Sequence, residues 1–223
     1  MTATTTRTRR RSPDSPGRSR RVAQWVMCVN VPEPVRLVVL ASGTGTTLQA
    51  LINASDLGGE IVAVGSDRAG TGALERAAAA EIPTFVVPFD GYPDRGDWNR
   101  AFQAALVAHR PDLVVLAGFL RIFDPQLVSA FRILNTHPSL LPAFPGVGVR
   151  AVRAALAHGV KLAGATVHWV TEDVDSGPIL AQVAVAVYED DDEQSLFARI
   201  QLAEKPLYVD TIRRLCKEIS AYE

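Results

Sequence analysis

The sequence predicts an α/β fold: an open, mainly parallel twisted sheet with an antiparallel hairpin near the C-terminus. Three observations lead to this prediction. Short, nearly continuous apolar runs recur between residues 35 and 137, as expected for strands buried on both faces of a parallel sheet. Segments of helical periodicity separate these runs, which is typical of right-handed βαβ units. Two further apolar runs, joined by a short acidic loop, follow between residues 163 and 187 and predict the hairpin.

The composition is that of a soluble globular protein. Its 223 residues are 48% hydrophobic and 21% charged, and the net charge of −1 argues against a general nucleic-acid binder. No apolar run approaches the roughly 20 residues needed to cross a bilayer. Cys28 and Cys216 form no spaced motif, so neither a disulfide framework nor a zinc site is indicated. We therefore expect a cytoplasmic protein with a small-molecule substrate and no nucleic-acid or membrane partner.

The first 33 residues differ from the rest of the chain. They are rich in Thr, Arg, Ser and Pro. Their seven arginines, set against Asp14 and Glu33, give this segment a net charge of about +5, so the rest of the chain carries a net charge of about −6. A segment with so few apolar residues is expected to be disordered. It could be a transit segment, a basic nucleic-acid arm, or the product of a start assigned upstream of a true start at Met27. We predict a disordered tail over 1–33 and one folded domain over 34–223.

The folded part begins with a strand, a glycine-rich turn and a helix. The strand is predicted over Arg36–Ala41 and the turn over Ser42–Thr47, after which Leu48, Leu51 and Ile52 recur at helical spacing. This order presents free backbone N–H groups and the positive end of a helix dipole, which suits a phosphate. The match to a dinucleotide-binding fingerprint is only partial, because Leu48 stands where a glycine is required. A tight turn without a ligand is the alternative.

Strands and helices then alternate. The predicted strands are Ile61–Val64, Pro83–Val87 and Asp112–Ala117, and the predicted helices are Ala73–Ala80, Trp98–Ala108 and Pro125–Phe131. In such sheets ligands bind beyond the carboxyl ends of the strands, near a switch in strand order. We expect the functional site at this edge.

The C-terminal part changes pattern. A helix is predicted over Val149–His158, strands over Ala163–Val170 and Ile179–Val187, and a last helix over Glu193–Leu215. The acidic stretch Asp190–Asp192 is interpreted as a solvated turn. Alternation alone explains His168, so a structural role is predicted for it.

The central motif, LNTHPSLLP, places Asn135 and His137 two residues apart at the end of an apolar run. On a strand both side chains would point to one face. An amide donor and an imidazole base are what an acyl transfer needs. The alternative is a turn-capping asparagine and a buried core histidine. Three candidate segments, the Gly loop, Gly118–Phe123 and this motif, converge on the same sheet edge.

Several segments together identify a family. SGTGTTLQALI, VGSDR, PDLVVLAGFLRIF, LNTHPSLLPAFPG, GATVHWV and DVDSGPIL resemble the glycinamide ribonucleotide formyltransferases, folate-dependent enzymes of purine biosynthesis with a Rossmann-like fold. The resemblance covers about residues 35–212. It implies transfer of a formyl group from the co-substrate 10-formyltetrahydrofolate to the amine of glycinamide ribonucleotide, with no metal. The resemblance is compatible with a homodimer but does not require one.

The resemblance also assigns roles to residues. His137, Asn135 and Asp175 match the catalytic residues: Asn135 and protonated His137 would stabilise the oxygen of a tetrahedral intermediate, and Asp175 would hold His137 or a water. The substrate-binding set is Gly45, Thr46, Thr47 and Glu204. The folate-binding set is Arg95, Leu120, Arg121, Ile122, Phe123, Asn135, Thr171, Glu172, Asp173, Val174 and Asp175.

Departures and alternatives remain. Thr46-Thr47 stand where the family usually has Ser-Asn, and the segment 146–152 lacks the family's histidine, so no site residue is carried over there. Related alternatives are another folate formyltransferase, such as the methionyl-tRNA enzyme, or a formyltetrahydrofolate hydrolase. A dinucleotide-binding oxidoreductase competes by motif, because Asp67 lies about 20 residues past the Gly loop, where a ribose-binding acid would stand.

Overall fold

Seven strands form one sheet in the computed structural model of the protein, which describes residues 1, 33–146 and 148–221. The strands are β1 (Val35–Leu40), β2 (Gly59–Ser66), β3 (Thr84–Val86), β4 (Leu113–Leu116), β5 (Ile133–His137), β6 (Leu162–Trp169) and β7 (Ile179–Ala186). Their order is β3-β2-β1-β4-β5-β6-β7. Strands β1 to β5 pair in parallel, whereas β6 runs antiparallel to both β5 and β7. The predicted fold class and C-terminal hairpin are confirmed.

The described residues form six α-helices, of which the first five connect strands and the last follows β7. They are α1 (Thr46–Ile52), α2 (Gly72–Ala79), α3 (Arg95–His109), α4 (Pro125–Ala130), α5 (Val149–Ala157) and α6 (Glu193–Ser220). Helix α3 begins three residues before the predicted start, because the Asp94 carboxylate accepts a hydrogen bond from Asp97 N at 2.8 Å and caps the helix there. The last helix also extends five residues beyond the predicted Leu215.

The acidic turn before α6 is structural rather than merely solvated. Asp192 accepts a hydrogen bond from Ser195 N, and the Ser195 hydroxyl accepts one from Asp192 N, which forms a capping box. Asp191 receives two hydrogen bonds from the Arg199 guanidinium, at 2.6 and 2.8 Å. This turn therefore fixes the start of the helix that carries Glu204.

The sheet is covered by helices on both faces, which explains its apolar strands. In β1, Leu37 and Val39 pack in a cluster with α1 and α6, while Val38 and Leu40 pack in a second cluster with α3 and α4. Every residue of such a strand faces a helix, so the run is apolar throughout. A smaller cluster joins α5, β6 and the first turns of α6.

The strand order places the candidate segments together. The chain leaves β1 toward β2 on one side of the sheet and returns to β4 on the other side of β1. The loops that follow β1 and β4 separate at this point and leave a crevice at the carboxyl ends of the strands. Strand β5 lies beside β4 and delivers the central motif to the same edge.

Two predictions depend on other parts of the chain. Except for Met1 and Glu33, the predicted disordered tail lies outside the described residues, so it stays a prediction. Within the described part, none of the helices has the length and apolar character that a bilayer span requires.

Candidate active site

A cavity of about 480 Å³ opens at the carboxyl ends of the central strands. Its walls come from the ends of β4, β5 and β6, the loops that follow β4 and β6, and the facing sides of α1, α5 and α6. Its lining includes Thr47, Leu120, Arg121, Ile122, Phe123, Asn135, Thr136, His137, Arg150, His168, Thr171, Val174, Asp175, Gln201 and Glu204. No group of three or more His, Cys, Asp or Glu side chains among the described residues is arranged to hold a metal ion.

His137 lies at the end of β5, buried to 3% exposure, and both of its ring nitrogens face acceptors. Nε2 lies 2.9 Å from the carbonyl oxygen of Phe144, and Nδ1 lies 3.4 Å from Asp175 Oδ2. A protonated imidazole can donate to both acceptors, whereas a neutral one can donate to only one. The surroundings of His137 therefore offer an acceptor to each ring nitrogen.

Asp175 is the anionic centre of the site. Its backbone has φ of 54°, an uncommon value outside glycine, and its Oδ2 accepts a hydrogen bond from Gly146 N at 2.8 Å. Burial acts to raise the pKa of Asp175, but interactions with His168, Gly146 N–H and His137 outweigh it and hold the pKa below the ordinary value. The side chain is therefore a carboxylate at neutral pH.

His168 belongs to the site, contrary to the structural role predicted for it. Its Nδ1 lies 2.9 Å from the Trp169 carbonyl oxygen, and its Nε2 lies 3.2 Å from Asn135 Nδ2. Nε2 also lies 3.5 Å from Asp175 Oδ1, so the ring connects the Asn135 amide with the Asp175 carboxylate, and the second N–H of that amide stays available to a ligand. The signal that sequence reasoning missed is the strand register, because β5 and β6 pair Asn135 with His168.

The loop after β5 is held by hydrogen bonds to β6 and β7. The Thr166 hydroxyl donates to the Ser139 carbonyl at 2.7 Å and accepts from Leu141 N at 3.0 Å. Gln182 Nε2 donates to the Leu141 carbonyl at 2.9 Å. These bonds shape the loop that carries Phe144, whose carbonyl faces His137 and whose φ is 53°.

The Gly loop provides one wall of the cavity through Thr47, while Gly45 and Thr46 are not among the lining residues. Within the described chain, the N–H groups of Thr46 and Thr47 donate to no protein acceptor, as expected for the first turn of a helix. Gly45 has φ of 73°, and a Cβ there would lie 2.6 Å from Ala73 Cα. Glycine is required at this position by backbone conformation and by the contact with α2.

A cation braces this loop from outside. Arg76 of α2 donates through Nε to the Thr44 carbonyl at 2.9 Å and through Nη1 to Gln49 Oε1 at 2.9 Å. The sequence alone did not single out this residue, because nothing in it relates α2 to the Gly loop. Arg76 adds positive charge beside the free N–H groups.

The loop after β4 lines the opposite part of the cavity, and Arg121 is fixed within it. Its Nε donates to Asp67 Oδ2 at 2.8 Å, and its guanidinium lies 4.0 Å from the centre of the Phe89 ring. Burial acts to raise the pKa of the Asp67 carboxyl, but bonds from Arg68, Ser42 and Arg121 lower it overall. Asp67 is thus committed to an arginine rather than free for a ribose.

Three residues predicted for the folate side do not line the cavity. The Arg95 guanidinium donates to the Ile122 carbonyl, so it supports the lining loop from behind. Glu172 and Asp173 are exposed, while their neighbours Thr171 and Val174 do line the cavity. The contacts of Arg95, Glu172 and Asp173 with a ligand therefore stay predictions, for residues that stand outside the cavity lining.

Glu204 of α6 is a buried carboxyl group that lines the cavity, with 7% exposure. Burial raises its pKa, while the nearby Thr136 hydroxyl and the Lys205 ammonium act in the opposite direction. One turn further on, the Tyr208 hydroxyl lies 3.0 Å from the Leu116 carbonyl oxygen and 3.1 Å from that of Leu134. This contact fixes α6 against the sheet at the position of Glu204.

Comparison with known proteins agrees with this geometry. Residues 35–212 match the formyl transferase family. A phosphoribosylglycinamide formyltransferase of Mycobacterium tuberculosis is 52% identical over 186 residues, which are 82% of this chain and 85% of that protein. The trifunctional purine biosynthetic protein adenosine-3 of Drosophila melanogaster is 42% identical over 176 residues, which are 76% of this chain and 13% of that protein.

A solved structure is similar as well. The glycinamide ribonucleotide transformylase 1 of Symbiobacterium toebii aligns with a TM-score of 0.79 and 44% identity, over 83% of this chain and 89% of that one. The alternative of a dinucleotide-binding oxidoreductase is therefore wrong. The chain belongs to the formyl transferase family, in the branch of the phosphoribosylglycinamide formyltransferases.

Proposed function

We propose that this protein transfers the formyl group of 10-formyltetrahydrofolate to the amine of glycinamide ribonucleotide, a step of purine biosynthesis in the cytoplasm. The observation that carries the proposal is the cluster of Asn135, His137 and Asp175 in one cavity of a chain that is 52% identical to a phosphoribosylglycinamide formyltransferase. In this reaction a new C–N bond forms at the formyl carbon and the bond from that carbon to the folate nitrogen breaks. The amine loses a proton and the folate nitrogen gains one.

Asn135 and His137 are the groups that would stabilise developing negative charge. The Asn135 amide has an N–H beyond the one directed at His168, and it points from the same strand face as His137. A donor held in place before the reaction lowers the energy of an oxyanion without reorganisation. The imidazolium of His137, held by Asp175 and Phe144, supplies a positive charge at the same place.

Asp175 would keep His137 charged and in position. Its carboxylate has a lowered pKa and contacts both site histidines at 3.4 and 3.5 Å. These separations are longer than those of a charge-assisted hydrogen bond, and such contacts commonly shorten when substrates bind. The role of Asp175 is to stabilise charge and to assist proton transfer.

The substrate phosphate is assigned to the Gly loop and the glycinamide portion to the side of Glu204. The free N–H groups of Thr46 and Thr47, with the cation of Arg76 behind the loop, favour an anion there. Gly45 serves this loop through its backbone conformation. Glu204, buried and facing the cavity from α6, offers acceptors for substrate hydroxyl or amine groups.

The folate is assigned to the opposite part of the cavity. Leu120, Ile122 and Phe123 offer apolar surface beside the Arg121 guanidinium, and Thr171 and Val174 face them from the loop after β6. An apolar wall with one fixed cation suits a flat aromatic ring system that carries a carboxylate-bearing tail. Arg95 would support this wall through its bond to the Ile122 carbonyl.

The direct test is a transfer assay. The purified protein is incubated with 10-formyltetrahydrofolate and glycinamide ribonucleotide, and deformylated folate is followed by absorbance. We expect turnover that requires the ribonucleotide, with no turnover above background when it is omitted. Equal rates with and without the ribonucleotide would identify a hydrolase instead. Tight binding of NAD in calorimetry would contradict the assignment of the Gly loop to a monophosphate.

A further inference from the structure

Thr136 carries a polar group that the proposed reaction does not use. It stands between Asn135 and His137 on β5, so its side chain projects from the opposite face of the strand. Its hydroxyl oxygen is buried and has no hydrogen-bond partner among the described residues, yet Thr136 lines the cavity. Buried hydroxyls are nearly always paired, so an unpaired one beside a binding cavity indicates a partner that arrives with the substrate or is reoriented by it.

Glu204 is the carboxyl group on the part of α6 that packs against this face of β5. Leu134 lies two residues before Thr136, its carbonyl accepts from Tyr208, and Tyr208 lies one turn after Glu204. Both Thr136 and Glu204 line the cavity, and the Thr136 hydroxyl acts to lower the pKa of Glu204, which burial raises. A carboxylate accepts at both oxygens, whereas a hydroxyl can donate. When a substrate donor turns one carboxylate oxygen toward itself, the other oxygen can accept from Thr136.

We propose that Thr136 is a positioning residue for Glu204, whose carboxylate it orients by donating a hydrogen bond when glycinamide ribonucleotide binds. This proposal rests on the proposed function and deepens it. Tyr208 fixes the backbone of α6 one turn away through its bonds to the sheet, so the side chain of Glu204 is the part left to be oriented. A residue of the same shape without a hydroxyl would fill the space but could not donate.

The position of Thr136 also determines which kinetic constant it affects. Because it projects away from the face that carries Asn135 and His137, it does not touch the reacting atoms. It acts on binding of the ribonucleotide through Glu204, whereas the formyl donor is assigned to the opposite part of the cavity, on the side of Arg121, which also lines it. The expected effect is therefore confined to the Michaelis constant of one substrate.

The test compares Thr136→Val, which keeps the shape, with Thr136→Ser, which keeps the hydroxyl. A hydrogen bond to a charged group is worth about tenfold or more in affinity. We expect Thr136→Val to raise the KM for glycinamide ribonucleotide about tenfold, with kcat and the KM for the formyl donor within about twofold of the original. Thr136→Ser should restore most of the loss. Melting temperatures of both variants show whether the fold is kept.

The pH profile gives a second readout that a purely structural role would not move. The cavity also contains His137, His168, Asp175, Arg121 and Arg150, and Lys205 lies beside Glu204 on α6. The double variant Thr136→Val/Glu204→Gln therefore identifies which limb of the pH profile of kcat/KM is due to Glu204. We expect the acid limb of kcat/KM for the ribonucleotide to move to higher pH in Thr136→Val, and no further effect of Thr136→Val when Glu204 is already replaced.

Three results would overturn the proposal. One is an unchanged KM for the ribonucleotide in Thr136→Val, and another is an equal effect of Thr136→Val with and without Glu204. The third is a loss in kcat alone. If the unaltered protein neither binds glycinamide ribonucleotide in calorimetry nor formylates it, the proposed function itself fails and takes this inference with it. Binding and turnover in the unaltered protein, with a flat response to Thr136→Val, refutes the inference alone.

Discussion

Replacing Asp175 by asparagine removes the one negative charge that contacts both site histidines while it keeps the shape of the side chain. An asparagine oxygen can still accept from Gly146 N, so the loop should stay in place. Two unit charges 3.4 Å apart, the separation of Asp175 Oδ2 and His137 Nδ1, attract by about 5 kcal/mol at an effective dielectric constant of about 20. Allowing about half of this for the remaining amide dipole and water leaves about 2.5 kcal/mol, which is on the order of a hundredfold in kcat.

The assay is steady-state turnover with each substrate varied in turn. We expect kcat to fall about a hundredfold in Asp175→Asn, with both KM values within about threefold and the melting temperature little changed. Asp173→Asn is the matched control, because that residue is exposed and only its backbone carbonyl receives hydrogen bonds, from Thr171 and Ser176. Loss of activity in Asp173→Asn, with none in Asp175→Asn, would show that the wrong acid has been assigned.

Three further predictions concern other parts of the structure. Burial raises the pKa of the Cys216 thiol to about 11. In a Cys28→Ser variant, a disulfide reagent at pH 8 should therefore label Cys216 slowly until denaturant is added. Prompt labelling would contradict the burial of Cys216. Gly45→Val should lower the free energy of unfolding by about 2–4 kcal/mol, because a valine at this left-handed φ would also clash with α2. Chemical denaturation measures this change, and an unchanged denaturation midpoint would disprove the prediction. Asp67→Asn should lower the free energy of unfolding by about 1–2 kcal/mol at pH 7, because Arg121 loses its charged partner but stays partly exposed. Since the folded pKa of Asp67 lies below its ordinary value, the difference between the two proteins should shrink as the pH falls below about 4, and a constant difference would refute the reasoning.

The sequence predicted that Asn135 and His137 lie together at the candidate site because the signal is local. Asn135 and His137 lie two residues apart on one short strand, and the periodicity of a strand alone places them on one face. The edge of the sheet followed from βαβ alternation, which fixes where strands end in a parallel sheet. The candidate role of Asp175 came from family resemblance, since its contact with His137 spans 38 residues of chain.

What could not be predicted depends on register and on loop conformation. His168 enters the site because β6 pairs antiparallel with β5 at one register, and alternation of side chains is the same for any even shift. The pairing of Asp67 with Arg121 joins loops after different strands, 54 residues apart. Glu172 and Asp173 were predicted with their neighbours as a block; all four residues are exposed, but only Thr171 and Val174 line the cavity.

The bond between Asp67 and Arg121 also restricts how this fold can change its chemistry during evolution. A dinucleotide-binding enzyme would use an acid at this position to bind a ribose. Here the Asp67 carboxylate instead forms an ion pair with Arg121, which belongs to the loop after β4. Loss of Arg121 alone would leave the buried Asp67 carboxylate with Arg68 as its one remaining cationic partner, and loss of Asp67 alone would leave the Arg121 guanidinium without its carboxylate. A descendant lineage would have to change both residues together, so drift toward a dinucleotide-binding site meets a two-substitution barrier.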